Sequence, residues 1–171
     1  MVKLIARAAA EGLLPISGDG VDVSEPEFEN LTSLGDLGGL AASLKAAYGL
    51  DLPKAGRVTG QAGARCAWFG LSHFLLIGLR PVTLPGAAVT DQSDAWCRVR
   101  LTGPRAAEAL AYLCPLDLRP AQFPEGSAAR SLIGHMNALI LHLDGAYELF
   151  VFRSMAATLV HELKEALKSL P

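Results

Sequence analysis

Apolar positions along this chain change from alternate spacing to helical spacing and back again, and they do so twice. In the second half, apolar and polar residues alternate from Trp96 to Leu101, which predicts a half-buried strand. A helix is predicted from Pro104 to Leu113, because proline suits the first helical position, where an N–H would have no partner. Strand-like runs follow at 129–133, 138–143 and 147–152, and the last two are joined by Asp144-Gly145, a strong hairpin signal.

The first half has the same order of elements. Asp36 is a suitable N-cap for a helix whose apolar face begins at Leu37 and continues to Tyr48, and Gly49 is its natural end. A hairpin is predicted with its turn at residues 70–73. The run Leu50-Asp51-Leu52-Pro53 that follows the first helix is echoed after the second helix by Leu116-Asp117-Leu118-Arg119-Pro120.

The repeated order predicts the fold class. We expect an α+β protein with duplicated strand-helix-strand-strand halves and antiparallel sheets, in one domain at 21–171. The halves would span about residues 21–80 and 89–171. A last helix capped by Ser154 would cover one side of a sheet. Residues 1–20 are predicted to be an N-terminal arm with a short helix through Glu11.

An acidic segment precedes the first helix. Glu25, Glu27 and Glu29 alternate with Pro26 and Phe28, which predicts a half-exposed strand with its carboxylates in water. The alternative is a row of carboxylates that binds a metal ion, although hard cations prefer carboxylates that converge from a loop.

The composition excludes several classes of partner. Of 171 residues, 51% are apolar and 19% charged, and the net charge is −2 with both signs spread along the chain. This argues against a nucleic-acid groove or a polybasic membrane surface. Three cysteines without paired spacing predict free thiols in a reducing compartment. The stretch from Ala67 to Leu79 is too short to cross a bilayer, and residues 1–15 lack a signal-peptide core, so we expect a cytoplasmic protein.

Candidate chemistry is sparse. The chain has no nucleotide-binding fingerprint, and none of its cysteines or serines lies in a recognised nucleophile motif. His161-Glu162 lacks the second histidine that a zinc protease motif requires. His135 and His142 would lie on opposite faces of a continuous strand. The sequence therefore names no catalytic residue and no metal ligand.

One polar set leaves two interpretations open. Asp91 and Asp94 precede a strand, where such side chains commonly form turns by accepting hydrogen bonds from nearby N–H groups. Alternatively, Asp94 pairs with Arg130 or His135 across the sheet and shapes an interface or a ligand pocket. If a small molecule binds, Asp94, Arg130 and His135 are the candidate binding residues.

Several short motifs occur in an order that resembles one protein family. From about residue 21 to residue 167, the chain resembles the gamma subunit of heterotetrameric sarcosine oxidase, a relative of the folate-binding aminomethyltransferases. The segments that carry the resemblance are Gly49-Leu50-Asp51-Leu52-Pro53, Trp68-Phe69-Gly70, Asp91-Gln92-Ser93-Asp94, Leu101-Thr102-Gly103-Pro104, Leu113-Cys114-Pro115-Leu116-Asp117-Leu118 and Ala129 to Met136.

The resemblance implies a function. It implies a non-catalytic subunit that packs on the large flavoprotein subunit of a complex that demethylates sarcosine to glycine. The products would be hydrogen peroxide and either formaldehyde or methylene-tetrahydrofolate. This chain would hold no cofactor, whereas FAD, FMN, NAD and tetrahydrofolate would lie on other subunits. The alternatives are an independent folate-binding protein or aminomethyltransferase-like enzyme, and a stand-alone interaction domain.

The composition also predicts association. A chain this rich in apolar residues has more of them than a small core can cover, and a large exposed apolar patch marks a partner surface. We expect the isolated chain to self-associate or to be poorly soluble, and a partner to cover more than about 1,000 Å².

Overall fold

The computed structural model describes residues 7–171, which form eleven strands and three helices. Residues 1–6 lie outside the described part. The strands are β1 (Ile16–Gly18), β2 (Val21–Ser24), β3 (Leu31–Asp36), β4 (Val58–Gln61), β5 (Ala64–Gly70), β6 (His73–Ile77), β7 (Ala87–Asp91), β8 (Trp96–Thr102), β9 (Ser127–Ile133), β10 (Met136–Leu143) and β11 (Ala146–Phe152). The helices are α1 (Leu40–Tyr48), α2 (Ala106–Ala111) and α3 (Ala156–Lys168), the last preceded by a 3-10 turn at Arg153–Met155.

The strands form two antiparallel sheets. Sheet 1 has the order β1-β2-β8-β11-β10-β9, and sheet 2 has the order β4-β5-β6-β3-β7. In each sheet, three consecutive strands form a meander that pairs with the strand before the helix. The predicted α+β class with duplicated halves and antiparallel sheets is confirmed.

The two halves exchange their leading strands. β2 lies at the start of the first half but pairs with β8 of the second half, Val23 opposite Leu101. β7 lies at the start of the second half but pairs with β3 of the first, Ser33 opposite Thr90. Each sheet is therefore completed by a strand from the other half, and the sequence repeat did not predict this exchange.

The sheets and helices form four layers. α2 and α3 cover the outer face of sheet 1, and α1 covers the outer face of sheet 2. The inner faces of the two sheets pack against each other, because alternate side chains of their strands are apolar on that side. This inner core contains Leu31, Ala67, Leu75 and Ile77 from sheet 2, and Trp96, Ala128, Leu139, Leu141, Leu143 and Phe150 from sheet 1.

Both predicted hairpin turns are present. Leu71 and Ser72 join β5 to β6, and Asp144 and Gly145 join β10 to β11. Asp144 has φ 51° and Gly145 has φ 68°, the left-handed pair that a two-residue turn between twisted strands requires.

The first helix starts later than its pattern predicts. Asp36 ends β3, and its carboxylate accepts hydrogen bonds from the N–H groups of Gly38 at 2.9 Å and Leu40 at 3.3 Å. The helix begins at Leu40, and Leu37 is 75% exposed, so the prediction of Leu37 on the apolar face was wrong. Gly49 ends the helix in the left-handed conformation, as predicted.

Three other local predictions were wrong. Residues 25–29 form no strand, because Glu25 accepts hydrogen bonds from the N–H of Ala10 and Glu29 pairs with Arg98 instead. Pro104 lies in a turn before α2, which begins at Ala106. Ser154 lies inside the 3-10 turn before α3 and provides no side-chain cap.

The N-terminal segment joins sheet 1. Residues 9–13 form turns, and β1 pairs with β2 in the register Ile16 opposite Val23. The part of the predicted arm helix that falls on residues 1–6 lies outside the described residues. No helix within residues 7–171 is both long and apolar enough to span a bilayer.

A substitution at Gly103 tests how closely the backbone packs at the end of β8. Its φ is 110°, and a Cβ there would lie 2.1 Å from the carbonyl oxygen of Gly20. We expect Gly103→Ala to lower the free energy of unfolding by more than about 3 kcal/mol, from backbone strain plus displacement of the β1–β2 turn. Gly145→Ala is the matched control, since its φ is 68° but nothing lies within 4 Å, and strain alone costs about 1–2 kcal/mol. Equal urea midpoints for the two variants would contradict this account.

Candidate functional site

A cluster of charged side chains lies between the two sheets. Glu148 of β11 is fully buried, and its carboxylate accepts hydrogen bonds from Arg98 Nε at 2.9 Å and from Arg100 at 3.3 Å. Arg98 also pairs with Glu29. Because a buried carboxylate without a cation is very costly, the two β8 arginines are the partners that make the burial of Glu148 tolerable.

The sequence analysis did not predict this cluster of Arg98, Arg100 and Glu148. Arg98 and Arg100 alternate with apolar residues, which indicated a solvent-facing side of the strand, but that side faces sheet 2. The available signal was Glu148, a carboxylate within the apolar run from Tyr147 to Phe152. The register places Arg100 opposite Glu148, and only this pairing shows that the charges meet.

A second ion pair joins the two sheets directly. Arg65 of β5 is buried and donates to the carboxylate of Asp144 at 2.6 Å, in the turn between β10 and β11. Arg100 in turn donates to the backbone carbonyl of Asp144 at 3.3 Å. The inner face of sheet 1 therefore carries a connected row of charges beside its apolar core.

A cavity of about 270 Å³ lies next to this cluster. It is bounded by residues 7–9, the segment 25–31 and the turn between β7 and β8. Two of the charged side chains that line it bond to protein groups: Glu25 accepts from the N–H of Ala10 at 3.0 Å, and Arg153 donates to the carbonyl of Arg7. The indole Nε1 of Trp96, which lines the cavity, is buried and has no hydrogen-bond partner among residues 7–171.

Asp91, Ser93 and Asp94, in the turn before β8, differ in their contacts. Asp91 accepts hydrogen bonds from Ser93 N–H at 2.9 Å and Ser93 Oγ at 2.7 Å, and these bonds lower the pKa of Asp91. Ser93 Oγ accepts from Leu31 N–H at 3.0 Å, which ties the turn to β3. Asp94 is exposed at the rim of the cavity.

Arg130 lies on β9, away from the turn that contains Asp94. Its guanidinium stacks on the ring of Phe69 at 4.2 Å from the ring centre. Leu71 and Leu132 form the walls of the same groove, which has a volume of about 460 Å³. Burial lowers the pKa of Arg130.

His135 is exposed in the two-residue turn between β9 and β10. Asp94 precedes β8, and Arg130 lies on β9. Because β11 and β10 lie between these two strands, β8 and β9 are about 14 Å apart. Asp94, Arg130 and His135 form no ion pair with one another within residues 7–171. The structure does not bring the three together, and their role in binding stays a prediction.

The described residues contain no group of three metal-ligating side chains. Cys66, Cys97 and Cys114 are free and buried. Burial raises the pKa of Cys66 and that of Cys97 to about 12. At neutral pH these two thiols are therefore protonated and poor nucleophiles.

Fold and side chains together define a class: a duplicated α+β protein of two facing antiparallel sheets, each completed by a strand from the other half.

Comparisons with known proteins show which proteins the chain is similar to. No model of a known protein family matches the chain. It is 35% identical over 111 residues to the sarcosine oxidase subunit gamma of Corynebacterium sp. (strain U-96), an alignment that covers 58% of this chain and 54% of that protein. The sequence match thus spans about half the length of this relative.

A solved structure matches over nearly the whole chain. A chain of the heterotetrameric sarcosine oxidase from Corynebacterium sp. U-96, in complex with pyrrole 2-carboxylate, superposes with a TM-score of 0.83 at 25% identity and 95% coverage of both chains. The resemblance found in the sequence is confirmed: the chain is similar in sequence to a sarcosine oxidase gamma subunit and similar in fold to a chain of the heterotetrameric enzyme.

The buried charge cluster predicts a specific stability pattern. We expect Glu148→Leu to lower the free energy of unfolding by about 3–5 kcal/mol, because Arg98 and Arg100 lose their shared carboxylate inside the protein. The double variant Arg100→Met/Glu148→Leu should be more stable than Glu148→Leu alone, because Arg98 keeps Glu29 as a partner. Urea unfolding measures both, and a single variant as stable as the parent would contradict the role of the cluster.

The cysteines predict a thiol pattern. We expect no thiol to react with a disulfide reagent such as dithionitrobenzoate at pH 7 in the folded chain, and all three to react in guanidinium chloride, since each is buried. Rapid reaction of one thiol in the folded chain would show that the layers open more readily than this packing implies.

Proposed function

We propose that this chain is a non-catalytic gamma-type subunit of a sarcosine-oxidase-type complex and packs on its large flavoprotein subunit. The complex would demethylate sarcosine to glycine, with hydrogen peroxide and either formaldehyde or methylene-tetrahydrofolate as products. FAD, FMN, NAD and tetrahydrofolate would bind to the other subunits. A cytoplasmic location belongs to the same proposal.

The observation that carries the proposal is the match over 95% of both chains to a protein solved within a heterotetrameric enzyme. A fold alone does not establish a function, because unrelated activities share folds. Here, however, the sequence similarity to a gamma subunit supports the same assignment.

The surface of the chain supports an association role. Phe28, Leu37 and Leu71 are each more than 70% exposed, and Phe152 is 50% exposed. Of these, Leu71 lines one groove together with Leu132, which is 41% exposed, and contiguous exposed apolar side chains often mark a surface that a partner covers. Glu25, Arg98 and Arg153, which line the cavity beside Trp96, are bonded to protein groups, and this fits a structural role better than a catalytic one.

Co-expression tests the proposal. We expect the chain, produced with the flavoprotein subunits of a sarcosine oxidase from its own source organism, to purify with them in an equimolar complex that forms hydrogen peroxide from sarcosine. The isolated chain should form no peroxide and carry no flavin spectrum. The control is the same set of flavoprotein subunits produced without this chain.

Two results would overturn the proposal. One is a chain that stays separate from the flavoprotein subunits in size-exclusion chromatography. The other is an isolated chain that binds tetrahydrofolate and transfers a one-carbon unit, which would identify an independent folate enzyme.

A further inference from the structure

Strand β9 is an outer strand of sheet 1, and part of its outer edge is open. In an antiparallel pair, backbone groups point alternately towards and away from the neighbouring strand. Ala128 marks the side that points away from β10, because its N–H donates outwards to the carbonyl of Gly56 at 2.9 Å. Arg130 and Leu132 belong to the same set, since they are two and four residues further along the strand.

The open part is short and has defined ends. At one end Ala128 bonds to Gly56, and at the other the N–H of Gly134 donates to the carbonyl of Leu113 at 2.8 Å. Between them, the N–H and C=O groups of Arg130 and Leu132 have no backbone partner among residues 7–171. Unpaired groups at a sheet edge are a template for another strand.

The side chains of the same two residues line a groove beside this edge. Arg130 lies on Phe69, and Leu132 is 41% exposed. Across the groove is Leu71, which is 91% exposed at the tip of the β5–β6 hairpin. A strand added at the edge would therefore find backbone partners on one side and an apolar wall on the other.

Arg130 determines the charge of a fitting partner. No carboxylate pairs with it in the described part of the chain. The ring of Phe69 covers one face of its guanidinium, but the N–H donors lie in the guanidinium plane and stay available for a carboxylate. Partial burial also lowers the pKa of Arg130, although the residue as a whole is exposed and can be reached by a partner.

A second copy of this chain fits the edge poorly. Two β9 strands paired about a two-fold axis would place both Arg130 side chains on the same face of the joined sheet. Like charges that close are unfavourable. A helix fits less well still, because its backbone groups are already bonded and cannot pair with a sheet edge.

We propose that the edge of β9 at Arg130 and Leu132 takes up an extended segment of the large flavoprotein subunit as an additional strand of sheet 1. The segment places a carboxylate against Arg130 and an apolar side chain between Leu71 and Leu132. This mode of recognition gives affinity through main-chain hydrogen bonds and specificity through alternate side chains. The proposal rests on the proposed function, because it names where that partner binds.

Hydrogen exchange at single-residue resolution tests it in the assembled complex. The amides of Arg130 and Leu132 should exchange fast in the free chain and at least 10-fold more slowly in the complex, as they gain partners. Ser131 is the internal control, since its N–H points to β10 and should be slow in both states. Complex formation without protection at 130 and 132 would overturn the proposal and leave the proposed function standing.

Two variants test the side chains and the edge separately. Arg130→Glu should weaken binding of the flavoprotein subunits about 100-fold, because the carboxylate would then meet a like charge. Leu132→Pro removes one outward N–H at a position where an edge strand tolerates proline, and should weaken binding at least 10-fold. The control for net charge is Arg80→Glu, an exposed arginine after β6, which should bind as the parent does.

Each outcome has one meaning. Thermal unfolding near the parent midpoint shows that a variant is folded, and normal binding by a folded Arg130→Glu variant would overturn the proposal. Protection of residues 130 and 132 in the free chain at high concentration, with dimers in ultracentrifugation, would replace the flavoprotein segment by a second copy. A parent chain that never joins the flavoprotein subunits would remove both proposals.

Discussion

Strands β10 and β11 are buried on both faces, and this constraint organises the molecule. Only Asn137 in β10 and Phe152 in β11 are exposed. An antiparallel sheet commonly leaves one face in water, but these strands need an apolar layer on each side. α2 and α3 provide one layer, and sheet 2 provides the other. The facing sheets are thus a consequence of strands that have no polar side.

The exchange of leading strands makes the two halves depend on each other. β2 pairs with β8, and β7 pairs with β3, so neither half alone has all the strands of its sheet. The close contact between Gly103 and Gly20 lies at the end of β8, where β2 joins sheet 1. The halves resemble each other in order but form one folding unit, because separating them would expose two unpaired sheet edges.

Charged side chains fill the space between the two sheets beyond the edge of the apolar core. Arg98, Arg100 and Glu148 fix the register of β8 against β11, because a shift by one residue would turn the carboxylate towards the helices. Arg65 and Asp144 join sheet 2 to sheet 1. At the opposite end of the inner face, Phe69 packs edge-on against Trp96 at 5.7 Å, and the core opens into the Arg130 groove. Internal packing and the proposed partner surface are therefore continuous.

The sequence by itself determined the elements that local chemistry specifies. Alternation of apolar and polar residues predicted β8, and Asp144-Gly145 predicted the hairpin of β10 and β11. Gly49 predicted the end of α1, and the repeated order of elements predicted the α+β class. Only the tertiary structure decided which strands pair across the halves, that the arginines of β8 face a buried carboxylate, and that Asp94 and Arg130 lie in separate places. Turns, caps and alternation depend on neighbours within a few residues. Strand order and the partners of long charged side chains depend on residues far along the chain, 69 positions apart for Arg98 and Glu29 and 79 for Arg65 and Asp144, and no local pattern encodes them.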